Sequence, residues 1–335
     1  MSMTNRNTPS NKPFLLSPAG KDYLWGGNRL NEEYNQNIPL SPLAEIWVCS
    51  THPDGFSMVI SGIHKGKSLP KVIQENPNYL GTHPGVFHDI PILIKLIDAK
   101  EDLSLQVHPN DDYAKTNENG QLGKTELWYI LDATEEASII YGFERDTDRN
   151  QVLDNLQHNT LMNHVQRIKV VKDDVFFIPA GTIHAGGAGT LFAEIQENSN
   201  LVYRVYDYDR VDKNGKSREL HIDKALDVLN YQSSASPRQP MRLLKYEMGY
   251  ASELLGRCKY FEVHRILLNT PLYENVVSFQ SQSNSFVVLL CIDGSGKIEF
   301  ENESITFQKG NCIFIPADSI EMHITGKAEL LKVSC

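Results

Sequence analysis

Short apolar runs separated by turn residues fill the first part of the chain: Phe14-Leu15-Leu16, Tyr23-Leu24-Trp25 before Gly26-Gly27, Ala44 to Cys49, and Phe56 to Ile60 before Ser61-Gly62. Runs of this length and spacing predict antiparallel strands rather than helices. Pro91 to Ile97 reads as a longer, strongly apolar strand. Val175 to Ile178 reads as another, turned sharply by Pro179, Ala180 and Gly181 before it presents His184 at its end. Helical spacing is confined to three places. Leu69 to Leu80 breaks at Pro77, the segment from Arg145 to His164 sets Val152, Leu153, Leu156 and Leu161 on one face, and His221 to Leu229 is short and amphipathic.

An internal repeat follows from the same pattern. Lys172 to Ala180 (KDDVFFIPA) and Lys309 to Ala317 (KGNCIFIPA) share a lysine, a polar turn, an apolar strand and Ile-Pro-Ala. Where the first copy reaches His184 the second reaches Glu321, with His323 two positions further on, and Ser283 to Cys291 carries neither carboxylate nor imidazole. The expectation is a mainly β chain of two related units. The first spans residues 1–231, with helical insertions near 69–80, 146–164 and 221–229; a polar linker covers 232–240, and a partner unit without metal ligands covers 241–335.

Composition narrows the function classes. A chain of 335 residues with 41% hydrophobic content has room for two or three core-bearing units. The polar opening, MSMTNRNTPSNKP, has no apolar stretch behind a basic start, and no later window approaches a membrane span, so a cytoplasmic location is expected. Cys49, Cys258, Cys291, Cys312 and Cys335 are odd in number and form no CxxC pair, which argues against a disulfide framework or a thiolate metal site. A net charge of −10 disfavours nucleic acid and anionic membrane as partners, and an anionic small substrate would need local cations.

Three stretches supply candidate chemistry: Leu105 to Pro109, Gly123 to Trp128, and the run ending in His184. Gln106 and His108 are two apart, so on an extended strand both point to one face. Taken singly, each is better read as a packed or ion-paired residue, Glu126 beside Lys124 as a strand-end salt bridge. Together, two imidazoles, a carboxylate and an amide suit zinc, whereas calcium or magnesium would want more carboxylates. Glu194 and Arg204 flank the turn Glu197-Asn198-Ser199-Asn200, which predicts both facing the pocket from adjacent strands, with cross-strand ion pairing as the plainer alternative. Arg204 and Arg210 among Tyr203, Tyr206 and Tyr208 also fit a stacked surface.

The ordered set Trp25-Gly26-Gly27, Glu45-Ile46-Trp47, Ser50-Thr51-His52-Pro53, Gln106 to Asn110, Lys124-Thr125-Glu126 and Ile178 to His184 resembles the type I phosphomannose isomerases in their short bacterial form. The resemblance spans nearly the whole chain. It implies two cupin-like jelly-roll units with short helical segments and no large helical domain. It also implies one zinc ion per chain, held by Gln106, His108, Glu126 and His184, with Arg204, Glu194 and Lys124 as catalytic residues and Ser104 and Arg210 binding substrate. The implied reaction interconverts mannose 6-phosphate and fructose 6-phosphate through an enediol. A metal-binding cupin with another sugar substrate, or with a non-catalytic sugar-binding role, is the alternative. Monomer and homodimer both fit.

Overall fold

The computed structural model describes residues 11–84, 89–212, 214–234 and 242–335. The strands form three antiparallel sheets. Packing divides the chain into two compact units that interleave along it. One gathers residues of Met1–Ala19, Val48–Pro91 and Arg242–Cys335, and the other those of Gly20–Trp47 and Ile92–Met241. This differs from a division at the linker, and strand pairing gives the reason. Phe14–Ser17 runs antiparallel to Cys312–Ile315, with Leu15 opposite Ile313, and Met58–Val59 pairs with Phe14–Ser17 in turn, so early strands complete the later unit's sheet. Residues 235–240 of the expected linker lie outside the described residues.

In the unit that contains the C-terminal strands, a ten-stranded sheet is built around Val287–Phe300 and Met322–Ser334. Its core includes Leu289, Cys291, Ile313, Ile315 and Leu330. Cys312–Ile315 is the repeat's second strand and Val175–Ile178 its first, each ended by the proline of Ile-Pro-Ala, which cannot donate to a ladder.

The other unit is a pair of sheets. One has the order Val175–Ile178, Glu126–Ala133, Thr190–Glu197, Ile92–Ala99, Glu45–Cys49, Ala19–Lys21; the other runs Tyr203–Tyr206, Leu105–Val107, His184–Ala185, Ser138–Phe143, Val165–Lys169. The period of two sorts their side chains. Leu105, Val107, Tyr203 and Val205 face outward from the smaller sheet, into a core closed by helices Arg149–Gln157 and Ile222–Val228. Ser104, Gln106, His108 and Arg204, the residues between, therefore fall on its inner face. On the larger sheet Ile97, Trp128, Ile130 and Phe192 share an inner core with Trp25 and Phe176, which puts Lys95, Glu126 and Glu194 on the same inner face.

Five α-helices occur among the described residues, the longest of nine residues, so there is no large helical domain there. The helical segments expected at 69–80, 146–164 and 221–229 appear as Leu69–Glu75 with Pro77–Leu80, Arg149–Gln157 with Leu161–Asn163, and Ile222–Val228. Two helices escaped the pattern, Arg29–Tyr34 and Asp111–Asn117. Both bury few side chains, Leu30 and Tyr34 in the first and Ala114 in the second, so neither shows an apolar stripe; the second starts where the Asn110 side chain accepts from Tyr113 N at 3.0 Å, with Asp111 and Asp112 in the first turn. Tyr23-Leu24-Trp25 lies outside any strand, and of Phe56 to Ile60 only Met58–Val59 pairs. No described helix is long and apolar enough to cross a membrane.

Candidate metal centre and active site

Three strand ends converge on one point. His108 follows the strand Leu105–Val107, Glu126 opens Glu126–Ala133, and His184 opens His184–Ala185, opposite Gln106 in register. The turn before His184 is fixed by Gly181, whose φ of +87° suits a residue without Cβ and whose N–H donates to His108 O at 2.9 Å. Ligand atoms of His108, Glu126 and His184 all lie within 4.8 Å of one another, and the three side chains are buried.

Each imidazole is oriented by a carbonyl. His108 Nδ1 is 2.7 Å from Leu201 O and His184 Nδ1 is 2.9 Å from Thr182 O. A carbonyl only accepts, so Nδ1 carries the hydrogen in both rings and Nε2 turns its lone pair inward. Burial, reinforced by the Lys124 ammonium, drives the His108 pKa well below its ordinary value and keeps the ring neutral. Burial alone would raise the Glu126 carboxyl, yet the Lys124 ammonium, the largest opposing influence, helps hold that group well below the usual carboxylate range.

The set fits a divalent cation. Lys124 Nζ is 3.0 Å from Glu126 Oε2 and His184 Nε2 is 3.1 Å from Oε1. These are ion-pair distances, but neither contact has hydrogen-bond geometry, so both Glu126 oxygens and His108 Nε2 are buried without a directed partner. Orphaned buried acceptors are costly, and neutral imidazoles beside a carboxylate match the donor preference of zinc. Gln106 reaches the same point, its Nε2 3.4 Å from His184 Nε2.

Beside this cluster opens a cavity of about 270 Å³, whose wall includes Ser104, Gln106, Lys124, Glu194 and Arg204. The expected neighbours thus meet at one cavity, with two differences. Glu194 and Arg204 are not on adjacent strands. Thr190–Glu197 pairs with Ile92–Ala99 and Glu126–Ala133, whereas Tyr203–Tyr206 pairs with Leu105–Val107, so the turn between them carries the chain from one sheet to the facing one. Arg210, in turn, is not among the cavity residues. Its guanidinium donates to Asp102 O and Asp207 Oδ1, each at 2.6 Å, and lies over the Tyr208 ring at 5.2 Å, the stacked arrangement.

The cavity wall also holds residues that sequence reading passed over: Glu45, Lys95, Asn200 and Arg218. Lys95 had a signal, a lone ammonium inside the apolar run PILIKLI that no strand could bury unpaired. It is 4% exposed, 2.9 Å from Glu194 Oε1 and 3.8 Å from Glu45 Oε2. Burial pulls its pKa down, but Glu194 and Glu45 more than offset this and raise it above the ordinary lysine value. Glu194 is held three ways, by Lys95, by Lys124 at 3.5 Å and by Trp128 Nε1 at 2.9 Å. The Trp128 ring also packs edge-on against His184, which ties the metal cluster to the carboxylate. Arg204 donates to Glu219 O at 2.8 Å and leaves Nε buried without a partner.

Comparison with known proteins shows the family. The type I phosphomannose isomerase catalytic domain matches residues 14–144, and the mannose-6-phosphate isomerase cupin domain matches residues 253–335. The mannose-6-phosphate isomerase ManA of Bacillus subtilis is 34% identical over 96% of this chain and 98% of its own. That of Streptococcus mutans is 33% identical over 96% and 97%. The crystal structure of the mannose 6-phosphate isomerase from Bacillus subtilis superimposes with a TM-score of 0.87 at 35% identity, covering 96% of this chain and 99% of that one. A variant of the phosphomannose isomerase from Salmonella typhimurium shares the fold at 17% identity, with a TM-score of 0.76 over 96% and 98%. The chain belongs to the type I phosphomannose isomerases, a family of enzymes.

Proposed function

We propose that this chain interconverts mannose 6-phosphate and fructose 6-phosphate, with one zinc ion held by His108, Glu126, His184 and the amide of Gln106. The observation that carries the reading is the buried His108–Glu126–His184 cluster, with its unpartnered acceptors, beside a cavity that also exposes Arg204 and Lys124. Bound there, zinc would supply a Lewis acid to polarise the substrate's two oxygens at C1 and C2.

The reaction moves a proton from C2 to C1 and a hydroxyl proton from O2 to O1, through an enediol. Arg204, half-buried with Nε unpartnered, is suited to hold the open-chain sugar and to stabilise negative charge on the enediolate. Proton transfer falls to the pair Lys124 and Glu194, whose facing atoms are 3.5 Å apart on the cavity wall. Glu194 also receives Lys95 and Trp128, so its position is fixed before substrate arrives. Ser104, buried on the same wall, is suited to donate to the phosphate. A cytoplasmic location goes with a phosphorylated substrate and with five cysteines that carry no disulfide.

A coupled assay that follows fructose 6-phosphate formation from mannose 6-phosphate tests the proposal on metal-stripped protein, after zinc is restored, and in Arg204→Ala. Turnover that returns with zinc and collapses in the variant supports it. Folded, zinc-loaded protein without turnover moves the weight to a cupin with another sugar ligand.

A further inference from the structure

Two arginines, Arg210 and Arg218, grip one carboxylate, and Arg218 shares the cavity wall with a third, Arg204. Asp207, 5% exposed, accepts from Arg210 Nη2 at 2.6 Å and from Arg218 at both oxygens, Nε to Oδ2 at 2.7 Å and Nη2 to Oδ1 at 2.5 Å. Burial would raise the Asp207 carboxyl, but the two guanidiniums hold it below its ordinary value. The third arginine, Arg204, has its pKa lowered by burial and then by Arg218, the mark of crowded positive charge. Asp207 and Glu219 stand against the three guanidiniums of Arg204, Arg210 and Arg218, which leaves local positive charge in a chain whose net charge is −10.

The two outer arginines use their donors differently. Arg210 spends Nε on Asp207 O, Nη2 on Asp207 Oδ1 and Nη1 on Asp102 O, so its fork is committed to the protein on every nitrogen. Among the described residues Arg218 grips Asp207 with its Nε/Nη2 edge, which leaves Nη1 to the other side, and Arg218 lines the cavity whereas Arg210 does not. A guanidinium fixed along one edge and open along the other is pre-organised for a second bidentate anion. The turn that delivers it closes at the Val211–Ser217 bridge and is pinned by Asp212, which accepts from Asn214 N and Lys216 N.

We propose that Arg218, rather than Arg210, is the cation that binds the phosphomonoester of the substrate, with Asp207 as the residue that positions it and Arg210 as the brace behind Asp207. The identity of the anion as a sugar phosphate rests on the isomerase reading; the anion site itself does not.

The test uses the full-length, zinc-loaded protein and two probes without a carbonyl, a hexitol 6-phosphate and the unphosphorylated hexitol, titrated calorimetrically. Arg218→Ala is expected to bind the hexitol phosphate roughly tenfold or more weakly, a loss in keeping with one charge-assisted bidentate contact, and the hexitol unchanged. Asp207→Asn is expected to weaken the phosphate probe as well, and the double variant to be no worse than Arg218→Ala alone, because Asp207 acts through Arg218. In the isomerase assay KM for mannose 6-phosphate rises more than kcat falls. If Arg218→Ala does not fold, Arg218→Lys, which cannot grip Asp207 and reach outward at once, gives the same comparison. Equal affinity of wild type and variant for the hexitol phosphate overturns the proposal, as does a wild type that does not prefer the phosphorylated probe. Phosphate preference lost in Arg218→Ala, in a protein that does not turn over mannose 6-phosphate, sinks the isomerase reading and keeps the anion site.

Discussion

Lys95 and Glu194 stand opposite each other in register on neighbouring strands, with Nζ 2.9 Å from Oε1 and both side chains buried. The pair is a hub, because Glu194 also receives Lys124 and Trp128 while Lys95 has, among the described residues, only Glu45, at 3.8 Å, as a further ion-pair partner.

Removing the carboxylate charge therefore costs more than removing the ammonium. Glu194→Gln leaves Lys95 buried against a distant partner and should lower the unfolding free energy by about 3–5 kcal/mol. Lys95→Met leaves Glu194 with Lys124 and Trp128 and should cost less. Urea denaturation at neutral pH measures both, and a larger loss in Lys95→Met would contradict the asymmetry.

Metal binding should be visible without activity. Because His108 Nε2 and both Glu126 oxygens are buried without directed partners, zinc added to stripped protein should raise the thermal midpoint. Glu126→Gln and His184→Ala should abolish that rise and reduce bound zinc, measured by elemental analysis, from one equivalent towards zero. A full equivalent in either variant would place the metal elsewhere.

Arg204→Ala should reduce kcat by about two orders of magnitude, as expected for loss of a donor aimed at developing negative charge. Its bond to Glu219 O and its half-buried stem make a small loss of stability a companion effect. Steady-state kinetics at a fixed zinc load decide the matter: a change confined to KM would make Arg204 a binding residue only.

Glu197 offers a pH test. Burial, and then Asp111 beside it, pushes its carboxyl from an ordinary 4.5 up to about 8, while Oε1 accepts from Thr125 N at 2.7 Å. The unfolded chain loses this proton first, so between those values the folded state binds more protons and stability falls as pH rises; below the window the contribution is complete. Glu197→Gln keeps a neutral side chain throughout. Its thermal midpoint should match wild type near the acid end of the window and exceed it above the alkaline end. Parallel midpoint profiles across the window would show that Glu197 is ionised in the fold.

Much of this protein was written in local pattern. Short apolar runs between turn residues marked the strands, the repeated Ile-Pro-Ala marked two related β units, and Gln106 and His108 declared a shared face because residues two apart on a strand must share one. The short helices Arg29–Tyr34 and Asp111–Asn117 escaped because they bury only Leu30 and Tyr34, and only Ala114, too few apolar positions to mark a face. Only the tertiary structure decided which strands face which. The turn after Glu197 sends Arg204 to the opposite sheet, Phe14–Ser17 joins the later unit's sheet, and Asp207 takes up the Arg210 fork while leaving the outer edge of Arg218 at the cavity. Local sequence sets which side of a strand a residue occupies, because that depends on its neighbours in the chain. Partners across a cavity depend on chain closure over many residues, and the way two guanidiniums, Arg210 and Arg218, share the Asp207 carboxylate is settled only where the chain has folded them together.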